Sequence, residues 1–179
     1  MESFHSESTA NSGAAASVAT SPFPFSSFDP EYAESHDRRV LIVDDEEAVR
    51  KLYAEYLNET YSCATACDAQ AALELMASEQ FALVLSDMQM PGLSGTELLR
   101  KIVERYPDTA VIMISGVDRT QRVIDAIRVG ASDYLVKPCD LDVLSLCVER
   151  ALERRTLLRN ARLYKRDLVP VRAFALMDE

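Results

Sequence analysis

Long apolar runs are missing from this 179-residue chain, and nothing in it approaches the ~20 consecutive apolar residues of a bilayer-spanning helix. The N-terminus has neither the basic start nor the apolar stretch of a secretory signal. No membrane role is expected, and a cytoplasmic location is. Positive charge is scarce: 19 Lys and Arg face 29 Asp and Glu, for a formal net charge of -10. That balance argues against attraction of the protein as a whole to nucleic acid or to a membrane surface. Cysteine and histidine are sparse too. Cys63, Cys67, Cys139 and Cys147 include one close pair, with C-x3-C spacing, and both histidines, His5 and His36, lie far upstream of it. Neither a zinc site nor a disulfide framework is indicated, so reduced thiols packed as small apolar side chains are expected. What remains is substantial: 48% of the residues are hydrophobic, enough for one globular core with tails and too little for two full domains.

Residues 1–37 are rich in Ser, Ala and Pro and show no sustained period, which marks a disordered leader. A second reading makes Phe23, Phe25 and Phe28 a short docking motif, on a partner or on the domain itself. From Arg38 the texture changes. Short aliphatic runs at Val40–Val43, Tyr61–Ala66 (weaker), Ala82–Leu85, Ala110–Ile114 and Tyr134–Val136 alternate with amphipathic segments near 46–58, 69–78, 95–105, 119–129 and from 141 onward. Five strands each followed by a helix imply a parallel sheet covered on both faces, because parallel strands need crossover connections and are buried on both sides. Asp45, Asp68, Ser94 and Asp118 each precede a periodic segment as candidate N-caps, and Ser94-Gly95-Thr96-Glu97 has capping-box spacing. Gly130 stands where a left-handed helix terminus is expected, and Pro107 closes the third helix.

In an open parallel sheet, whatever follows the C-terminal ends of the strands shares one edge, and ligands bind there. Asp44 and Asp45 end the first strand and Asp87 the third, so adjacency of those strands brings three carboxylates together. Like charges that close repel unless something positive sits among them, and a hard divalent cation such as Mg2+ suits a few carboxylates. Ser115 adds a hydroxyl at the end of the fourth strand, and Lys137 an ammonium at the end of the fifth. A carboxylate nucleophile, a metal, a hydroxyl and a lysine describe a pocket for phosphoryl transfer to an aspartate.

These residues carry a resemblance. Asp44-Asp45, the Asp87 segment with Met90-Pro91-Gly92 and Gly95, Ser115-Gly116, and Gly130-Ala131-Ser132-Asp133-Tyr134-Leu135-Val136-Lys137-Pro138 follow one another as in the receiver domain of two-component response regulators, which residues 38–152 resemble. The resemblance implies an α/β, flavodoxin-like, doubly wound (βα)5 fold with strand order 2-1-3-4-5, an order the general rule for such folds already illustrates with a chemotaxis receiver. It implies Asp87 as phosphoacceptor, taking the group from a sensor histidine kinase or a phosphotransfer protein. Asp44, Asp45, Asp87 and the backbone carbonyl of Gln89 would hold Mg2+, and Ser115 and Lys137 would bind phosphoryl oxygens, with Lys137 paired to Asp87 beforehand. Tyr134 matches an aromatic switch residue that follows Ser115 and passes the state to the surface of the fourth helix, fifth strand and fifth helix. Gln89 and Val117 match positions that influence the lifetime of the acyl phosphate. A cis bond is implied at Lys137-Pro138. Gly116 and Cys139 depart from the commonest pattern, in which alanine and an aromatic are frequent, and both are small.

Each residue has a plainer explanation. Asp45 serves as a helix cap, Asp87 as a turn residue, Ser115 as a loop hydroxyl, Lys137 as a solvated lysine and Tyr134 as core. What outweighs these for the acidic set is joint occurrence at four strand ends on one edge. Two rival functions compete with this one. A metal-dependent aspartyl-phosphate phosphatase would carry two aspartates two positions apart after the first strand, a spacing that Val43-Asp44-Asp45-Glu46 lacks. A phosphorylation-independent dimerisation adaptor would leave Asp87, Ser115 and Lys137 unused. The expected protein is thus a signalling switch, which catalyses only its own phosphorylation and dephosphorylation.

Residues 153–179 read as a helical extension and a short tail. A helix from Leu141 to about Leu168 would carry Leu141, Leu144, Val148, Ala151 and Leu152 against the sheet, then a stripe of Leu157, Ala161, Tyr164 and Leu168 with no domain left to cover. A coiled-coil homodimer would bury that stripe, and the face made by the fourth helix, fifth strand and fifth helix is a second candidate for self-association. Seven basic residues stand between 149 and 166 against Glu149 and Glu153; they read as a solvated helix face, and no nucleic-acid role is expected because no reader module follows. The chain is expected to act through a downstream effector protein, either as a stand-alone regulator or as the front of a longer one.

Overall fold

The computed structural model describes residues 38–116 and 120–174, the latter as backbone only at 120 and beyond 165. Five strands and five helices alternate among them: β1 (39–43), α1 (47–57), β2 (62–66), α2 (69–78), β3 (83–87), α3 (95–105), β4 (110–115), α4 (120–129), β5 (133–136) and α5 (141–174). The strands form one sheet in the order β2-β1-β3-β4-β5 with every pairing parallel. Fold class and strand order therefore agree with the sequence reading.

Side chains of a strand alternate between its faces, and the aliphatic runs supply both. Leu41, Val43, Val84, Val111 and Met113 face a core closed by Ala72 and Met76 of α2, Leu98, Leu99 and Ile102 of α3, and Ala126 of α4. Val40, Ile42, Leu83, Leu85, Ile112 and Ile114 face the other, closed by Tyr53 and Leu57 of α1 and Leu144, Val148 and Ala151 of α5. The central strands β3 and β4 are buried throughout, whereas edge strand β2 is largely open, which explains its weaker apolar signal.

Helix starts follow local chemistry. Asp68 Oδ1 accepts from Ala71 N at 2.8 Å and caps α2, and Ser94 and Glu97 form a reciprocal capping box on α3. The cap expected of Asp45 is corrected: Glu46 holds the N-cap position of α1 without a side-chain bond, and Asp44 Oδ1 accepts from Glu46 N at 2.9 Å. Gly130 ends α4 with φ +127°, and a Cβ there would press to 3.1 Å on Val103. The Lys137-Pro138 bond is cis. The caps expected at Asp118, the position of Val117 and all readings of residues 1–37 lie outside the described residues.

Helix α5 runs to Phe174, further than the expected end near Leu168, and its 34 residues span about 51 Å. Leu157 and Tyr164 of the expected stripe are 70% and 72% exposed, and the side chain of Leu168 lies outside the described residues. The basic run is not wholly a solvated face. Arg155 Nε donates to the carbonyl of Asp108, and Arg162 Nη1 reaches the Pro107 carbonyl at 2.8 Å and Asp108 Oδ1 at 2.9 Å, tying α5 to the α3–β4 loop. The four cysteines are unpaired thiols. Burial pushes the Cys63 thiol up to about 11 and the Cys147 thiol also upward, which suits inert packing. No helix among the described residues is long and apolar enough to cross a membrane.

Ser94→Ala removes the cap acceptor of α3 and is expected to lower stability by about 1 kcal/mol in urea denaturation with an unchanged slope.

Candidate functional site

The C-terminal ends of β1, β3, β4 and β5 converge on one small volume. β1 runs out into Asp44 and Asp45, β3 ends at Asp87, β4 at Ser115, and Lys137 follows β5. Backbone bonds fix this edge: Met88 N donates to Ile114 O at 2.8 Å, and Lys137 N to Ser115 O at 2.8 Å. Asp44, Asp87 and Ser115 are buried, whereas Asp45 is exposed. One carboxylate oxygen from each of Asp44, Asp45 and Asp87 lies within 4.8 Å of the others.

Lys137 answers this crowding. Its Nζ stands 2.5 Å from Asp44 Oδ2 and 2.8 Å from Asp87 Oδ2, joining residues 93 and 50 positions away in sequence. Burial works to lower the lysine pKa, but the hydrogen bonds and charges of the two aspartates outweigh it and hold the value above that of an ordinary lysine. The remaining oxygens are oriented by backbone, since Asp44 Oδ1 accepts from Glu46 N and Asp87 Oδ1 from Gln89 N at 3.2 Å. Three carboxylates and one ammonium leave a formal charge of -2, which one divalent cation neutralises. The donors are hard oxygens without nitrogen or sulfur, the set that suits Mg2+, Ca2+ or Mn2+ rather than zinc. The acidic triad fits a metal ion on these grounds.

The other expected site residues fall as follows. Ser115 is fully buried at the same edge. Tyr134 is half-buried against the α2–α4 face of the core, in register with Met113. Gln89 lies in the loop directly after Asp87, and Val117 is outside the described residues.

Arg50 and Tyr53 escape the sequence reading, and Gly95 enters it without its physical reason. Arg50 Nη1 donates to the Asp44 carbonyl at 2.6 Å, holding the acidic turn from α1; its one signal was its place as the first basic residue after the acids. Gly95 appeared in a motif without a physical reason. A Cβ there would sit 2.0 Å from the Asp87 carbonyl oxygen and 2.8 Å from Met88 Cα, so the start of α3 packs directly on the Asp87 backbone. Tyr53 OH lies 3.3 Å from Cys139 Sγ beside the Lys137-Pro138 turn, and burial followed by that contact raises the phenol pKa.

The family model for the response regulator receiver domain matches residues 40–149, and the chain belongs to that family. Response regulator protein FleR of Pseudomonas aeruginosa is 40% identical over 113 residues, covering 63% of this chain and 24% of its own. Nitrogen assimilation regulatory protein NtrX of Azorhizobium caulinodans is 40% identical over 131 residues, 72% of this chain and 28% of its own. The chain thus spans about a quarter of the length of these curated relatives. Among solved structures, a receiver domain protein from Clostridium thermocellum has a TM-score of 0.64 at 31% identity, with 67% of this chain and 98% of that one covered. The receiver domain of NtrX from Brucella abortus has a TM-score of 0.61 at 40% identity, covering 64% and 98%. Residues 40–149 thus form a receiver domain of the kind that response regulators carry.

Two outcomes check the geometry. Gly95→Ala is expected to cost about 1–3 kcal/mol in denaturation because backbone must shift to admit the methyl group. Lys137→Ala is expected to cost about 2–3 kcal/mol in metal-free protein, less than a fully buried pair because the lysine is partly exposed. Added Mg2+ should then raise the melting temperature of that variant more than that of the parent, since the variant site is more negative.

Proposed function

We propose that Asp87 accepts a phosphoryl group from a phosphohistidine of the kinase or of a phosphotransfer protein. The observation that carries this reading is Lys137 Nζ bridging Asp44 and Asp87 at the edge where four strands end. In the transfer an Asp87 carboxylate oxygen attacks phosphorus, an O–P bond forms and the N–P bond breaks. The imidazole leaves with the bonding pair and takes up a proton. Lys137 and the hydroxyl of Ser115 bind the phosphoryl oxygens, and Lys137 holds the carboxylate in place beforehand. Asp44, Asp45, Asp87 and the Gln89 carbonyl would hold Mg2+, which when bound supplies positive charge against the transferring oxygens.

Tyr134 then reports the state of Ser115 to the surface made by α4, β5 and α5, through which a downstream effector is engaged. Gln89 and Val117 set the lifetime of the acyl phosphate. The setting is the cytoplasm. Residues 1–37 serve as leader, 38–152 as receiver and 153–179 as a helical extension with a short tail. The uncovered Leu157 and Tyr164 support a homodimer through the α5 extension.

The test is incubation of the full chain with Mg2+ and a small acyl phosphate, followed by intact-mass measurement. One phosphoryl group is expected, with none after chelation and none in Asp87→Asn. Labelling that persists in Asp87→Asn, or that ignores chelation, would overturn the reading.

A further inference from the structure

A cavity of about 860 Å3 opens between α3 and α4, beside the loop that follows Asp87. Its size falls in the range of about 300–1,000 Å3 that holds small-molecule ligands. Met88, Met90, Pro91 and Val129 give it an apolar side. Arg100 of α3 and Arg122 and Arg128 of α4 give it a basic one, with Asp125 the single carboxylate among the described lining residues. Three guanidiniums against one carboxylate leave a formal charge of +2, in a protein whose net charge is -10.

Little in the domain neutralises this charge. Among the described residues, Arg100, Arg122 and Arg128 form no ion pair and no hydrogen bond, whereas Arg39, Arg50 and Arg162 are each held by a partner. The nearby acids bond elsewhere. Glu97 attracts Arg100 through space, yet its Oε2 accepts from Ser94 N at 3.0 Å and from Ser94 Oγ at 2.8 Å. Asp125 Oδ1 accepts from Gln121 Nε2 at 3.0 Å. A planar guanidinium matches the paired oxygens of a phosphate, and three of them suit more than one phosphate group. Methionine sulfur packs well against an aromatic ring. Phosphates on one side and a ring on the other describe a nucleotide.

We propose that this cavity binds a nucleoside diphosphate, with its phosphates on Arg100, Arg122 and Arg128 and its base against Met88, Met90, Pro91 and Val129. The cavity is separate from the acidic triad but shares a loop with it: Gln89 lines the cavity, and its backbone N–H donates to Asp87 Oδ1 at 3.2 Å. Occupancy thus bears on the turn that orients Asp87. Binding itself is independent of the phosphoryl chemistry.

The test titrates ADP into the isotope-labelled full chain and follows amide NMR, with EDTA present so that no metal bridges the nucleotide to the acidic triad. Saturation at or below about 1 mM is expected, with shifts focused on residues 88–90, 94–100 and 122–129. Adenosine and inorganic phosphate, each offering one part of the ligand, should bind about tenfold more weakly or worse. Arg100→Gln with Arg122→Gln should weaken ADP about tenfold or more, through loss of charge-assisted contacts. Asp125→Asn removes the acid from the lining and should tighten ADP about two- to threefold, a gain that an unstable variant cannot mimic. No saturation, shifts centred elsewhere, phosphate binding as well as ADP, or indifference to these substitutions would each overturn the proposal. So would a hexaglutamate peptide that binds the same residues more tightly than ADP, which would mark a surface for an acidic protein instead.

Discussion

Electrostatic crowding at one sheet edge is the constraint on which the site depends. Two unit charges about 4 Å apart at an effective dielectric near 20 repel by roughly 4 kcal/mol, so a triad of carboxylates is tolerable only with positive charge built in. Lys137 supplies part of it, and its two bonds span β1, β3 and the end of β5. The remainder is left open, and that residual negative charge suits a divalent cation.

Positioning these groups falls to the least remarkable part of the molecule. β3 and β4 are buried along their whole length, so their register is fixed by packing on both faces, and Asp87 and Ser115 inherit that precision at the strand ends. Loops finish the task through close backbone contacts. The start of α3 lies against the Asp87 carbonyl, where only a glycine fits, and Arg50 fixes the Asp44 carbonyl from α1. A side chain so held loses little freedom on meeting a ligand.

Much of this was legible in the sequence, for particular reasons. Val111-Ile112-Met113-Ile114 is aliphatic without alternation, which a strand buried on both sides requires, and β4 is such a strand. Asp44, Asp87, Ser115 and Lys137 were legible because each directly follows or ends such a run. Features that failed to show depend on what comes near in space. Asp45 looked like a cap because it precedes a helical pattern, yet the chain enters α1 one residue later and the Asp44 carboxylate takes the backbone donor. The arginines of the α5 extension looked solvated because sequence does not reveal that the α3–β4 loop passes beneath them. Gly95 stood in a motif whose reason, the closeness of the Asp87 backbone, is tertiary.

The central claim is that Asp44, Asp45 and Asp87 form one cation site with Lys137 beside them. Titration of isotope-labelled protein with paramagnetic Mn2+, followed by amide NMR, tests it most directly. The account expects saturable broadening confined to residues around 44–46, 87–89, 115 and 137, reversed by excess Mg2+. Broadening spread over the acidic exterior with no focus at the strand ends would contradict it.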